Sequence, residues 1–215
     1  MVAAPENPLI HGVDDDDQFR ASMARLLSAA AYRVRTYGST GEFLLNDIPD
    51  APGCLLLDFH LPGPSGLDLQ SALLRRDIPL PIVFLSGRGD VPVAVQAMKA
   101  GAVDFLTKPV SKEQLLAAVA KALALDAEAT AARERLEQWR KRYGTLTARE
   151  IQVFERVVSG LMNKVIADEL GIAERTVKAH RARLMEKMGA SSLAELVHIA
   201  EQLHVETVPS PDAPA

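Results

Sequence analysis

The stretch CLLLDFHLPGPSG, residues 54–66, contains the pattern that decides the fold of the first half of the chain. An apolar run at 54–57 leads directly into Asp58, and a turn rich in Pro and Gly separates this aspartate from a helical pattern at 66–75. A short continuous apolar run bounded by turn residues is typical of a strand buried on both faces of a sheet. Asp58 is therefore expected at the carboxyl end of a buried strand.

Similar apolar runs alternate with helical patterns on both sides of this stretch. The runs lie at 9–13, 33–37, 54–57, 81–85 and 102–106, and the helical patterns lie near 16–30, 40–46, 66–75, 91–100 and 111–123. Five strand–helix units in alternation predict an α/β domain with a parallel sheet covered on both faces. His11 and Gly12 interrupt the first run. Because glycine weakens a central strand, we expect this strand to be distorted or the domain to be less stable.

Polar residues follow four of the five predicted strands. They are Asp14, Asp15, Asp16 and Asp17 after the first, Asp58 after the third, Ser86 after the fourth and Lys108 after the fifth. Ligands of open parallel sheets bind outside the carboxyl ends of the strands, so these side chains are expected to converge. Two carboxylates about 4 Å apart repel each other by roughly 4 kcal/mol at an effective dielectric constant of about 20, so the cluster requires a cation. Oxygen ligands from few protein groups suit Mg²⁺.

A phosphoryl group is the substrate that this combination of side chains predicts. The Ser86 hydroxyl can donate to a phosphoryl oxygen, and the Lys108 ammonium can balance its charge. Asp58 would be the nucleophile and form an acyl phosphate. Each residue alone has an ordinary explanation, such as a helix cap or a solvated surface group, but their joint placement at strand ends favours the functional interpretation.

The second half of the chain has helical patterns and no strand pattern. The helices are predicted near 147–159, 163–170, 174–188 and 192–203, with a helix–turn–helix motif at 163–182 whose first helix Asn163 would cap. Capping-box patterns mark three helix starts in the chain, at Ser39-x-x-Glu42, Thr147-x-x-Glu150 and Ser192-x-x-Glu195. The formal net charge is −4, yet 174–188 contain five Lys and Arg against two Glu. A basic helix in an acidic chain predicts a DNA-facing element.

One face of the helix at 174–188 can enter a major groove. On a helical wheel, Val177, Leu184 and Met188 form the buried side. The opposite side carries Lys178, Ala179, Ala182 and Arg183. Basic side chains can contact bases or phosphates there, and small alanines allow close approach. The residues placed for phosphate contacts, which position a protein without reading sequence, are Lys164, Thr176 and Arg183.

Several segments together resemble the FixJ/NarL family of response regulators. They are VDDD at 13–16, LDFHLPGPSG at 57–66, FLSGRGDVPVAVQAMKAGAVDFLTKP at 84–109, LTAREIQV at 146–153 and GLMNKVIADELGIAERTVKAHRARLMEKMG at 160–189. The similarity covers about residues 8–205. It implies a flavodoxin-like receiver with strand order 2-1-3-4-5, an all-α LuxR-type helix-turn-helix domain, and phosphorylation of Asp58 by a sensor histidine kinase.

The resemblance also implies roles for individual residues. The metal ligands would be Asp14 through water, Asp15, Asp58 and the backbone carbonyl of His60. In similar receivers the acidic pair directly follows the first strand, so Asp14 with Asp15 is the preferred pair and Asp15 with Asp16 is the alternative. The switch residues would be Ser86, Lys108 and, as the aromatic switch, Phe105. The groove-facing residues would be Lys178, Ala179 and Ala182, with a lysine more usual at the last position. Arg88 holds a position that tunes acyl-phosphate lifetime in similar receivers, and the Lys108–Pro109 bond is commonly cis in them.

We therefore predict a response regulator transcription factor, which is not an enzyme and uses Mg²⁺ as its cofactor. Its parts would be a receiver domain at 7–123, a helical linker at 124–144, a LuxR-type DNA-binding domain at 145–205 and a disordered tail at 206–215. Its partners would be a sensor histidine kinase, double-stranded promoter DNA, a second copy of the chain after phosphorylation and, as a further candidate, RNA polymerase.

The sequence also indicates where the protein is located and allows two alternative functions. No run of about 18 apolar residues and no secretory signal is visible, so we expect a cytoplasmic protein without a membrane segment. One alternative is a pseudo-receiver regulator that binds DNA and is never phosphorylated. The other is a phosphohydrolase with an aspartate nucleophile, which would need an acid–base Asp at the position of His60.

Overall fold

The computed structural model describes residues 7–46, 51–87 and 91–206. Arg88 and all of the predicted tail except Glu206 lie outside these residues. The elements are β1 (Leu9–Val13), α1 (Asp17–Ala29), β2 (Arg33–Tyr37), α2 (Thr40–Leu45), β3 (Gly53–Asp58), α3 (Gly66–Arg75), β4 (Ile82–Ser86), α4 (Val91–Lys99), β5 (Asp104–Thr107), α5 (Lys112–Tyr143), α6 (Ala148–Val158), α7 (Asn163–Leu170), α8 (Glu174–Met188) and α9 (Leu193–Leu203). The chain divides into a first unit, Met1–Thr130, and a second unit, Ala131–Ala215.

The first unit is built on a parallel sheet of order β2-β1-β3-β4-β5. This architecture confirms the predicted fold class and strand order. Every residue of β3 and β4 is buried, as the continuous apolar runs predicted. Since all the strands are parallel, Val13, Asp58, Ser86 and Thr107 end at the same edge of the sheet.

The expectation that β1 is distorted is wrong. Its five residues pair without interruption with β2 on one side and with β3 on the other. A Cβ at Gly12 would overlap the terminal methyl group of Met23 in α1, so the glycine makes room for a core side chain. His11 is buried, with its Nδ1 3.1 Å from the Tyr37 hydroxyl. Burial and then the charge of Arg35 lower the pKa of His11 to about 4, so the ring is neutral near pH 7.

Two apolar clusters cover the faces of this sheet. On one face, α1 and α5 pack on alternate strand residues that include Ile10, Leu56 and Val83. On the other face, α2, α3 and α4 pack on residues that include Leu55, Leu57 and Phe84. The single cysteine, Cys54, is buried in the first cluster. Burial raises the pKa of its thiol to about 12, which fits the role of a small core residue.

The second unit is helical and has its own core. Val177, Leu184 and Met188 of α8 are fully buried in it, in agreement with the predicted buried side of that helix. Trp139 and Tyr143, from the end of α5, pack against the same core. No described helix in either unit has the length and apolar character needed to cross a membrane.

In the second unit, basic side chains form hydrogen bonds and ion pairs near the ends of helices. Arg142 Nη1 donates to the Met188 carbonyl at the end of α8, at 2.8 Å. Lys187 Nζ lies 2.7 Å from Glu150 Oε2, which also accepts from the Thr147 amide. Hydrogen bonding to Lys187 and then to Thr147 lowers the pKa of Glu150 to about 2, so this buried carboxyl is charged.

The expectation that Asn163 caps α7 is wrong. Met162 occupies the N-cap position of this helix, without a side-chain hydrogen bond to it. Asn163 is the first residue of the helix, and its Oδ1 accepts instead from Arg181 Nη1 of α8 at 3.3 Å. The amide side chain therefore joins the two helices of the helix–turn–helix motif. Gly171 and Gly189 end α7 and α8 in the left-handed conformation, where glycine is favoured.

Candidate functional site

Lys108 joins the acidic residues at the carboxyl edge of the sheet. Its Nζ lies 2.6 Å from Asp14 Oδ2 and 2.7 Å from Asp58 Oδ2. The other oxygen of each carboxylate accepts a backbone hydrogen bond, from Asp16 to Asp14 Oδ1 and from His60 to Asp58 Oδ1. The Lys108 ammonium also lies 4.3 Å from the centre of the Phe19 ring. The side chains at the carboxyl ends of β1, β3 and β5 therefore meet in one cluster, connected by this ammonium group.

Burial and hydrogen bonding act against each other in this cluster. Burial raises the pKa of Asp14, although the hydrogen bonds from Lys108 and from Asp16 oppose this effect. Burial alone would lower the pKa of Lys108, but its hydrogen bonds to Asp14 and Asp58 prevail and raise it. The lysine is therefore protonated near pH 7 and supplies the positive charge that the two buried carboxylates need.

Asp14, Asp15 and Asp58 can offer one oxygen each to a common cation. The three ligand atoms lie within 4.8 Å of one another. Asp15 is exposed, whereas Asp14 and Asp58 are buried, so the cluster opens to solvent on one side. A set of three carboxylate oxygens with an open side suits Mg²⁺, which binds few protein oxygens and retains several waters.

Asp16 and Arg20 order the segment that carries the acidic pair. Asp16 is the N-cap of α1, and its Oδ1 accepts from the amides of Gln18 and Phe19 at 2.8 and 3.1 Å. Arg20 hydrogen-bonds to the Asp14 carbonyl and to the Asp17 carboxylate. The helix-capping role of Asp16 favours Asp14 with Asp15 as the metal pair. Sequence analysis did not identify Arg20. Its three-residue spacing from Asp17 was an available signal for the ion pair, whereas its hydrogen bond to the Asp14 carbonyl leaves no motif.

Ser86, His60 and Phe105 lie around the acidic cluster. Ser86 is fully buried, and its Oγ lies 3.5 Å from Nδ1 of the exposed His60. A surface pocket is lined by Asp58, His60, Gly87 and Lys108. The half-buried Phe105 ring lies 6.2 Å from the Phe59 ring centre and 6.4 Å from that of Phe84. The Lys108–Pro109 peptide is cis.

The exposed face of α8 carries most of the predicted DNA-contacting residues. Lys178, Ala179, Ala182 and Arg183 are exposed, as is Lys164 of α7, and Thr176 is half-buried. Glu174, which sequence analysis did not select, is also exposed, and its Oε1 lies 3.0 Å from Lys178 Nζ. Helical spacing would have been enough to find it, since Glu174 stands four residues before Lys178.

Two family matches cover both units. Residues 10–120 match the family described as "Response regulator receiver domain". Residues 144–200 match the family described as "Bacterial regulatory proteins, luxR family". The chain is therefore a response regulator transcription factor that joins a receiver domain to a LuxR-type DNA-binding domain.

Similar proteins place the chain within this class. Nodulation protein W of Bradyrhizobium diazoefficiens is 43% identical over 202 residues, covering 94% of this chain and 89% of that protein. The transcriptional regulatory protein FixJ of Azorhizobium caulinodans is 42% identical over 209 residues, covering 97% and 98%. The solved structure of response regulator StyR is 45% identical, covers 91% of this chain and 99% of StyR, and has a TM-score of 0.78. The chain belongs to the FixJ/NarL type of response regulators.

Proposed function

We propose that this response regulator accepts a phosphoryl group on Asp58 from a sensor histidine kinase in a Mg²⁺-dependent reaction, then dimerises and binds promoter DNA. The observation that carries the proposal is the placement of Lys108 Nζ between Asp14 and Asp58, at 2.6 and 2.7 Å. A buried carboxylate that already contacts one fixed cation, beside two further carboxylates, is suited to receive an anionic group together with a divalent metal ion.

The chemistry of the transfer follows from the oxygen atoms of Asp58. A carboxylate oxygen attacks phosphorus, a P–O bond forms, and the bond from phosphorus to the donor nitrogen of the kinase histidine breaks. Mg²⁺, held by Asp15, Asp58, the His60 carbonyl and Asp14 through water, would neutralise charge on the phosphoryl oxygens. Lys108 would balance the charge of the acyl phosphate, and Ser86 would donate to one of its oxygens.

The switch would then act through the edge of the first unit. When the Ser86 hydroxyl turns to the phosphoryl group, it leaves His60, and the Phe105 ring moves into the space so created. This shifts the population of shapes of the face formed by α4, β5 and the first part of α5. Val91, Val95 and Met98 of α4 are exposed apolar residues on that unit, and they support a dimer formed through this face.

The DNA-binding step would use α8 as the recognition helix. Its exposed residues Lys178, Ala179 and Ala182 would face the major groove, and Lys164, Thr176 and Arg183 would contact phosphates. Two copies of this helix in a dimer would bind two half-sites. RNA polymerase is a further candidate partner at the promoter.

Labelling with acetyl phosphate tests the phosphorylation. We expect the full chain to incorporate about one phosphoryl group in Mg²⁺ and none in EDTA, with Asp58→Asn unlabelled and the exposed control Asp77→Asn labelled as the wild type. If neither acetyl phosphate nor a competent kinase labels the wild type in Mg²⁺, the proposal fails and a phosphorylation-independent regulator remains. Repeated turnover of phosphate esters would instead indicate a phosphohydrolase.

Beryllofluoride, which imitates a bound phosphoryl group, tests the dimer. We expect light scattering in Mg²⁺ to show a dimer of the wild type in beryllofluoride and a monomer of Asp58→Ala. Dimers of both proteins, or of neither, would contradict the link between phosphorylation and assembly.

A further inference from the structure

Glu174 occupies a position on α8 that an acidic residue should avoid if this face binds DNA. It lies in the first turn of the helix and, at four-residue spacing, in one row with Lys178 and Ala182. The N-terminal residues of a recognition helix are those that contact base edges. The phosphates of both strands repel a carboxylate at this point, and hydrogen bonds accepted from the bases would offset the cost of that repulsion.

The partner of Glu174 is a second residue of the proposed DNA-binding face. Its Oε1 lies 3.0 Å from Lys178 Nζ, and both side chains are accessible, at 47% and 64% of their surface. The pair therefore presents one hydrogen-bond acceptor and one donor side by side, about 3 Å apart, on an exposed helix face.

The major-groove edge of a G·C base pair has the complementary arrangement. It shows guanine N7 and O6, both acceptors, followed by the cytosine N4 amino donor. O6 and N4 are hydrogen-bonded to each other across the base pair, so they are about 2.9 Å apart. An ammonium can donate to N7 and O6 while the neighbouring carboxylate accepts from N4.

An A·T base pair fits this pair of side chains less well. Its only donor, adenine N6, lies between two acceptors, N7 and the thymine O4. A carboxylate bonded to N6 would have an acceptor on either side and would be repelled by both. The thymine methyl group would also lie in the space next to the side chains.

We propose that Glu174 and Lys178 act as one recognition unit that selects a G·C base pair in the half-site. This inference rests on the proposed binding of DNA by α8. Glu174 is then a specificity-determining residue. Its charge lowers the affinity for DNA in general, and its hydrogen bond restores the affinity where cytosine N4 faces the carboxylate.

Selection of bound sequences from a randomised DNA duplex tests the proposal with the full chain in beryllofluoride and Mg²⁺. We expect the wild type to enrich a motif with a preference of about fivefold or more for G·C at one position of each half-site. Glu174→Ala and Lys178→Ala should both reduce that preference below twofold at the same position and leave the other positions unchanged. Glu201→Ala, which removes an exposed charge of α9, should retain the complete motif.

Affinity for DNA of unrelated sequence provides the second readout. It should rise in Glu174→Ala, which removes a negative charge, and fall in Lys178→Ala, so the two variants lose the same base preference with opposite effects on general binding. A wild-type motif that is unchanged in Glu174→Ala overturns the inference and leaves the DNA-binding proposal intact. Failure of the wild type to enrich any motif overturns the DNA-binding proposal and the inference together.

Discussion

Lys108 is the residue that offsets the negative charge of the two buried carboxylates in the acidic site. Its ammonium contacts a fully buried carboxylate, Asp14, and a nearly buried one, Asp58, while its own side chain retains 19% of its exposure. The sequence patterns identified all three residues, because each lies at the end of a strand or directly after it. They did not identify the backbone amides of Asp16 and His60 that hold the carboxylates, since any residue type can supply an amide.

Replacement of Lys108 should make the first unit dependent on Mg²⁺. Breaking a fully buried ion pair costs about 3–5 kcal/mol, and because Lys108 is partly exposed we expect Lys108→Met to lose about 2 kcal/mol of unfolding free energy in EDTA. Millimolar Mg²⁺ should restore most of the loss by binding the unpaired carboxylates. Urea denaturation followed by circular dichroism measures this, with the exposed Lys112→Met as control. A loss that Mg²⁺ does not reduce would contradict the prediction.

Two glycines of the sheet should respond differently to alanine. A Cβ at Gly53 would overlap the backbone carbonyl oxygen of Leu9, which cannot move without disturbing β1, whereas a Cβ at Gly12 meets the flexible end of Met23. We expect Gly53→Ala to lower the unfolding free energy of the first unit by about 2–3 kcal/mol and Gly12→Ala by about 1 kcal/mol or less. Thermal and urea denaturation of both variants give the comparison. Equal costs would show that Met23 is as rigid as the backbone.

At the level of elements, periodicity predicted the strands and helices well, and the hydrogen bonds at their ends less well. The predicted helix at 174–188 has those bounds, and the Thr147–Glu150 capping box forms with both of its hydrogen bonds. Glu42 and Glu195, however, accept from the amides one residue before the N-cap, Gly38 and Ser191. A one-residue shift of this kind depends on the backbone path before the helix, which periodicity does not contain.

Contacts between distant elements are the part that sequence patterns could not supply. The buried Asp126 of α5 accepts from the Gly53 amide at 2.9 Å, and Gln70 of α3 donates to the Ala100 carbonyl at 3.0 Å. Each contact joins a side chain to a backbone group far away along the chain. Such pairs follow from the packing of the fold and not from any local spacing of residues.

The ion pair between Glu150 of α6 and Lys187 of α8 should make the stability of the second unit depend on pH. The pKa of Glu150 falls from 4.5 to about 2 on folding, so its contribution is complete above about pH 5 and is lost as the pH falls toward 2. We expect Glu150→Gln to cost about 2 kcal/mol at pH 7, because a buried charged hydrogen bond is lost. The difference from the wild type should fall below half of that value at pH 3.

The fluorescence of Trp139, the single tryptophan of the chain, reports this unfolding because its ring packs in the second unit against His198. The exposed Glu137→Gln is the matched control. A cost of Glu150→Gln that is the same at pH 7 and pH 3 would show that the charge of Glu150 is not the source of the stabilisation.

At the scale of the whole molecule, DNA binding depends more on how charge is distributed along the chain than on the net charge. The chain carries a net charge of −4, while 174–188 contain five basic and two acidic side chains. The negative remainder repels DNA, so binding has to be local and sensitive to salt. The division into domains at 7–123, 124–144 and 145–205 stays a prediction, although the two units separate within the proposed linker.

The salt dependence of DNA binding should show how many phosphates Lys164 of α7 and Arg183 of α8 contact. If Lys164 and Arg183 each neutralise one phosphate, the slope of log K against log salt should be about −2 per protomer and about −4 for a dimer. Lys164→Ala should reduce the dimer slope to about −2 without changing the preferred sequence, whereas Lys141→Ala, on the exposed end of α5, should leave it unchanged. Fluorescence anisotropy between about 50 and 200 mM salt measures the slope. An unaltered slope in Lys164→Ala would remove this residue from the phosphate contacts.

The last turns of α5 matter for anyone who exchanges DNA-binding modules between related regulators. Trp139 and Tyr143 pack against the core of the second unit, and Arg142 donates a hydrogen bond to the final carbonyl of α8. A chimera joined at Gly144 would pair a foreign helix end with this module and leave α8 without the hydrogen bond from Arg142 to its last carbonyl. Grafts that begin near Ala131 transfer the native helix end together with the module, so natural recombination at this locus should also tolerate crossovers upstream of Trp139 better than crossovers after it.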